Sequence, residues 1–406
     1  QSEDTSSRLN ISGNITNSIS QEDSTGGVIA NNMGALDINA KQLVNDNAKI
    51  SSLGSLSIDS DNLSNSGSVY SQDDLTIANA KHVNNSGSIA SQGNTSLNTE
   101  SFTQNNKGRM IAGLTFEGEL SDNNANLTVV SDDKQINSGT NIATGDINLT
   151  GSELDLTDSH NQSDNLTLTA KAGDITLDAA STNVSQKASF ITPSKLSNDK
   201  GVLQAGEFDW HVNELSNVAG SINQTGTQDF NLITTGNINN QQGVIGGTAN
   251  RLTVHSDDKL TNRTGKIVHN GSDNADIKAR SIDNTEGTII SNNVLTVKAS
   301  KDIDNTQGGI QGDALNVQSQ SFNNDNGQLI SLTGDLQLNS DLVTNQGKNA
   351  FIQSGKDLTV NSQRLDNKQS ATLWAKGSAN VSATDSLTNL SGAAIASDKQ
   401  LVVKAG

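Results

Sequence analysis

Apolar residues recur along this chain in a short, fixed grammar. Between Ser281 and Ile310 one unit reads SIDNTEGTIISNNVLTVKASKDIDNTQGGI. Its strand, Leu295-Thr296-Val297-Lys298-Ala299, is apolar at every second position, which turns one face inward and the other to water. A polar corner follows, then Ile303-Asp304-Asn305, a second corner and Gly308-Gly309-Ile310. The Leu-x-Val step starts at Leu36, Leu56, Leu75 and Leu127, and again at Leu252, Ala275, Leu295, Leu315, Leu336, Leu358, Ala379 and Leu401. From Leu252 onward the starts lie 20 to 23 residues apart. Periods of this size are the signature of a solenoid. The predicted fold is all-β, a parallel β-helix with about 20–22 residues per coil, and roughly 16 to 18 coils at about 4.8 Å each would stack to about 80 Å.

A second signal is an apolar residue, any residue, then asparagine. It places Asn45, Asn65 and Asn85, then Asn217, Asn240, Asn262, Asn284, Asn305, Asn324, Asn345, Asn367 and Asn389, with Gln104 in one intervening place. Equivalent residues of successive coils stack, so such a column can chain its side-chain amides, each donating to the next. Asparagine also tolerates the left-handed backbone of a corner. A third signal is glycine just before an inward apolar residue, as in Gly87-Ser88-Ile89 and Gly309-Ile310. Each coil then buries about five modest side chains and is covered above and below by its neighbours.

The grammar is interrupted once. Between Asn137 and Asn217 the asparagine column lapses, although Ile147 to Leu177 still alternates as strand. From Asp178 to Glu207 the period fails, and the one proline, Pro193, lies here beside Phe190 and Ile191. Phe208-x-Trp210 then takes the Leu-x-Val place, Trp210 inward. The predicted organisation is repeats over 1–146, an irregular region over 147–207 and repeats over 208–406. Loops that leave a rigid scaffold concentrate binding function. The candidate receptor-binding residues are therefore Phe190, Ile191, Pro193, Lys195 and Leu196. The stretch 178–207 is expected to leave the helix and to be replaceable by a short turn.

Composition changes the picture in a few places. Only 32% of the 406 residues are hydrophobic and 2% aromatic, too few for an ordinary globular core. The charged fraction of 17%, the single proline and the persistent alternation argue against disorder. Proline cannot donate to a backbone ladder, so its near absence fits continuous sheet. Cysteine is absent, which rules out disulfides and thiolate metal sites and fits passage through an oxidising compartment. No apolar run reaches the length of a membrane span, and no signal peptide is evident. A net charge of −18 argues against nucleic acid as a partner. The chain opens at Gln1 and stops at LVVKAG, the first strand of another unit, as an internal segment of a longer protein would.

Candidate chemistry is sparse. The histidines His82, His160, His211, His255 and His269 have no mutual spacing that makes a metal site, and most fall at outward positions. Asp132-Asp133 and Asp257-Asp258 occupy equivalent corners, and the glycine-aspartate nonapeptide of calcium-binding β-rolls is missing, so solvated corners are the better reading. No nucleophile motif or phosphate loop is present. Catalytic residues, metals and cofactors are not expected. The competing enzymatic reading is a β-helix polysaccharide lyase or hydrolase, which a cleavage assay on acidic polysaccharides would reveal. Such sites need aromatic platforms and clustered acids or arginines on long loops, and these are scarce here.

The units LTVKASKDIDNTQGGI and LTIANAKHVNNSGSIASQGN resemble those of filamentous haemagglutinins and the related CdiA effectors of contact-dependent inhibition. The resemblance covers about four fifths of the chain. It implies a right-handed parallel β-helix, secreted to the bacterial surface through an outer-membrane transport partner and projecting as a filament. It also implies a receptor-binding region that contacts an outer-membrane protein or glycan of a target cell. The Asn-Pro-Asn motif of the secretion domain and a C-terminal cytotoxic domain are not seen in this segment.

Overall fold

Leu-x-Val, apolar-x-Asn and Gly-x-Ile form the three sides of each coil, the first two either as separate strands or as one continuous strand such as Leu36–Asp46. The structure, a computed structural model, describes residues 5–19 and 26–406 and contains no helix among them. Every extended strand ladder pairs in parallel: Leu252 stands beside Ala275, Ala275 beside Leu295, Leu295 beside Leu315. The coil that opens at Leu295 shows the plan. Its strands are Leu295–Ala299, Asp302–Asp304 and Gly309–Gly312, and it buries Leu295, Val297, Ala299, Ile303 and Ile310. Each apolar residue lies on its counterpart in the next coil, so Ile282, Ile303 and Phe322 form one column and Ile289, Ile310 and Leu329 another. Small residues suffice because both neighbouring coils cover them.

The chain forms two compact units, residues 1–197 with 201–203 and residues 198–200 with 204–406. Each is a parallel β-helix. In the second unit Phe208 and Trp210 point inward and pack with Phe230, their ring centroids 4.9 to 6.1 Å apart. Trp374 stands half-exposed on an outer face, its Nε1 donating to Asp398.

The corner after the asparagine has a different division of labour from the one its sequence predicts. The left-handed residue is not the ladder asparagine but the second residue after it: Ala219, Gln242, Thr264, Glu286, Gln307 and Asn326 all have φ between 52° and 58°. The glycine that follows is required by close approach. A Cβ on Gly308 would lie 2.2 Å from the Asn284 carbonyl oxygen of the preceding coil, and Gly287 and Gly327 are equally crowded.

The stretch 178–207 does not leave the helix. Ser181–Ile191 is a strand pairing with two sides of the preceding coil, Asn161 beside Thr182 and Leu168 beside Phe190. Leu196 then pairs with Ile175 to close the third side. The sequence conceals this because inward places carry Thr182, Val184 and Ala188 instead of Leu-x-Val. Pro193 falls at the corner, where no ladder hydrogen is required of it. A short turn could not replace this stretch without uncovering the coil beneath.

Candidate functional site

The asparagine column is the polar part of the interior. In the second unit it runs unbroken from Asn198 through Asn217, Asn240, Asn262, Asn284, Asn305, Asn324, Asn345 and Asn367 to Asn389, each Nδ2 donating to the next Oδ1 at 2.7 or 2.8 Å. Each amide also reaches backbone carbonyls: Asn284 Nδ2 donates to Gly287 of its own coil and Gly309 of the next. Asn217 through Asn367 are fully buried. The amides are thus satisfied without water, the condition under which a polar group is tolerated in a core.

The first unit begins in the same way, from Asn17 through Asn45, Asn65 and Asn85 to Gln104. Gln104 Nε2 then divides, donating to Asn137 Oδ1 at 2.9 Å and to Asn141 Oδ1 at 3.2 Å. Asn141 continues to Asn161, and Asn161 to the Thr182 hydroxyl. The places in line with Asn137 are taken by the buried Leu156 and Leu177. So the column does not lapse; it steps sideways onto the third strand, where other coils place isoleucine. Apolar and polar columns exchange positions, and the Asn137 Nδ2 is left without a partner.

On the outside, acidic side chains divide by company. Asp283 accepts from Arg263 at 3.0 Å and Lys259 at 3.4 Å. Burial alone would raise its pKa, but hydrogen bonds from Thr285 and Arg263 outweigh burial and hold the carboxyl below its ordinary value. Asp325 is the opposite case. Burial pushes its pKa up, with the Asp304 charge adding to it, against a backbone hydrogen bond from Gln346. Its Oδ1 is buried without a partner. A raised folded-state pKa means stability present at low pH and lost as pH rises through that value. Asp325→Asn is therefore expected to raise the thermal midpoint at pH 7. The gain should vanish near pH 3, roughly where the carboxyl is protonated in both states.

The candidate receptor contacts separate into two groups. Phe190 and Leu196 are fully buried core residues of the first unit and cannot touch a partner. Ile191, Pro193 and Lys195 face outward, with Lys195 Nζ 3.9 Å from Asp174. Four histidines lie on or near the surface, but His269 is buried. Its Nε2 stands 3.0 Å from the carbonyls of Ala249 and Asn250, and its Nδ1 3.2 Å from the Ser291 hydroxyl. The two carbonyls require Nε2–H to donate. Of the paired acids, Asp257 approaches His255 and Asp258 pairs with Arg280 at 2.7 Å. Among the described residues no three His, Asp or Glu side chains cluster in a way that could hold a metal ion.

One excursion escaped the sequence pattern. The coil that opens at Thr95 does not yield to the next first strand until Leu127, and the surplus, around residues 113–124, projects from the third strand. The spacing from Leu75 to Leu127, too long for two coils, is the signal that locates it.

The haemagglutinin repeat family matches this chain over residues 10–67, 54–121, 113–172, 270–348, 331–391 and 374–406, well over half of its length. The protein named Toxin CdiA of Yersinia pestis is 29% identical over 323 residues, covering 66% of this chain. The chain spans 10% of that relative's length. No solved structure matches it. The coils between residues 172 and 270 lie outside the matched repeats yet keep the same architecture. The chain belongs to the haemagglutinin repeat family of secreted, cell-surface bacterial proteins.

Proposed function

We propose that this chain is a structural and adhesive segment of a secreted bacterial filament that presents a receptor-binding surface to target cells. An outer-membrane transport partner would export it, and the target would be an outer-membrane protein or glycan. The observation that carries the reading is the division between inside and outside of each coil. The interior is fixed by stacked apolar columns and the amide column, and the outward positions are mostly polar and take no part in that packing. Such a scaffold supplies rigidity and leaves its surface to recognition. The name of the Yersinia relative supports a larger protein that delivers a toxin, with these coils as its presenting stalk.

Ile191, Pro193 and Lys195 remain the proposed contact points from the sequence pattern. They are outward residues in the stretch where the family match lapses. Labelled chain incubated with intact cells of several bacterial species should bind selectively in flow cytometry, and Ile191→Asp with Lys195→Glu should lower the signal. Failure to bind any species more than an unrelated acidic protein would overturn the proposal.

A further inference from the structure

Five of the seven phenylalanines lie inside: Phe102, Phe190, Phe230 and Phe322 are fully buried, and Phe208 nearly so. Phe351 is partly covered at an outward strand position. Phe116 is the most exposed, at 61%, near the tip of the excursion that follows Ala112. Leu120, on the same excursion, is 45% exposed. A single exposed apolar residue is ordinary, but here two stand together on one projecting, ordered excursion.

The excursion is tied down as a built element. Leu114 and Leu120 form an antiparallel bridge, and Ser121 N–H donates to the Gly113 carbonyl at 2.7 Å. Thr115 N–H donates to the Glu119 carbonyl at 2.8 Å, closing the tip, where Gly118 adopts φ 90°. The base docks on an apolar patch on the outer face of the third strands, formed by Tyr70, Ala90 and Ile111, against which Leu114 and Ile142 pack. Tyr70 donates its hydroxyl to the Leu114 carbonyl at 3.2 Å and meets the Phe116 ring edge-on at 6.0 Å. The Thr144 hydroxyl donates to the Asn123 carbonyl at the other end. The patch thus has its cover, and what remains uncovered is the crest: Phe116 and Leu120 beside Glu117, Glu119 and Asp122.

We infer that the crest of residues 113–124 is a docking knob for a protein receptor offering an apolar pocket rimmed by lysine or arginine. This rests on the adhesive reading above and deepens it by naming a surface and a partner chemistry. Two observations favour protein over glycan. The Lys49 ammonium lies 5.2 Å from the centroid of the Phe116 ring and Tyr70 meets the same ring edge-on, so part of the ring is already engaged and a flat stacking platform for a sugar is reduced. Three carboxylates crowd the crest, and the complement of that charge is a basic rim. The knob is preorganised by its own hydrogen bonds, which lowers the ordering cost of binding. An aromatic that becomes buried at the centre of a contact, ringed by polar side chains, is a common anatomy of a protein interface.

The test uses the intact chain, fluorescently labelled, on intact bacterial cells of a species it binds. Phe116→Ala is expected to weaken binding at least tenfold while leaving the melting curve unchanged, because the base stays pinned through Tyr70 and Leu114. Glu117→Lys with Glu119→Lys should weaken it further, and binding of the parent should fall as NaCl is raised. Leu332→Ala, which trims an apolar residue exposed elsewhere, should bind as the parent does. Shaving the cells with protease should abolish binding. If protease leaves binding intact and periodate oxidation of surface sugars removes it, the partner is a glycan and the inference is overturned. If the parent binds and Phe116→Ala binds equally, the knob assignment falls and the adhesive reading stands. If the parent binds no cells, both fall together.

Discussion

Asn305→Asp should be among the most damaging single changes in the second unit. Asn305 Nδ2 donates to Asn324 Oδ1 at 2.7 Å and to the Gln328 carbonyl at 3.2 Å, while its Oδ1 accepts from Asn284 at 2.7 Å. Aspartate keeps the acceptor and loses both donations. A carboxylate oxygen would then face an amide oxygen and a backbone carbonyl, in a side chain with no exposure to water. A buried acceptor left unpaired costs about 1–3 kcal/mol, and more when a charge is involved. The expected loss is about 3 kcal/mol or more. Asn305→Ser, which leaves a smaller and neutral gap, should cost less. Lys298→Asp on the outer face of the same coil should stay within about 0.5 kcal/mol. Because repeat proteins unfold in parts, hydrogen exchange at residues 284–328 is the measurement to use. An equal effect from Lys298→Asp would show that the column has no special role.

The sequence showed the coils wherever inward positions hold Leu, Ile or Val at period two. It failed where the interior uses other residues. Thr182, Val184 and Ala188 are as buried as their neighbours, but they do not stand out against a chain rich in Ser, Thr and Ala. Ile15-Thr16-Asn17 and Leu196-Ser197-Asn198 obey the apolar-x-Asn rule and join the column, Asn198 at the regular spacing of 19 residues and Asn17 at a longer one of 28, so both rungs were legible. The excursion at 113–124 was legible only as surplus length. Its docking on Tyr70 and Ala90 joins residues from separate coils, which no local pattern reports. His269 was hidden for another reason. Its partners are two carbonyls some twenty residues earlier and a serine one coil later.

The sideways step at Gln104 explains why the asparagine rule stops without the fold stopping. A β-helix interior needs each column to be internally consistent, since neighbours in a column touch, but it does not fix which column is polar. Gln104, one methylene longer than asparagine, reaches both columns and makes the transfer. Leu156 and Leu177 then fill the abandoned column, and Asn161 and Thr182 carry the polar one. The step leaves Gln135 Oε1 and Asn137 Nδ2 buried without partners, which marks it as a place where the polar interior is incompletely satisfied.

Phe190→Ala separates a role in the core from a role in recognition. Phe190 is fully buried in the column below Leu168 and carries one of the largest side chains of the first unit's interior. Removing the ring takes away its transfer free energy and leaves a cavity that stacked backbones cannot close, so a loss of about 3–5 kcal/mol is expected. Ile191→Ala, one residue on and pointing outward, should cost well under half of that. Thermal melting followed by circular dichroism measures both. Below the temperature at which its coil opens, Phe190→Ala should bind cells as the parent does, because the ring never reaches the surface. If Phe190→Ala instead melted like the parent and lost binding, the ring would have to be exposed, and the placement of 181–191 as a coil would be wrong.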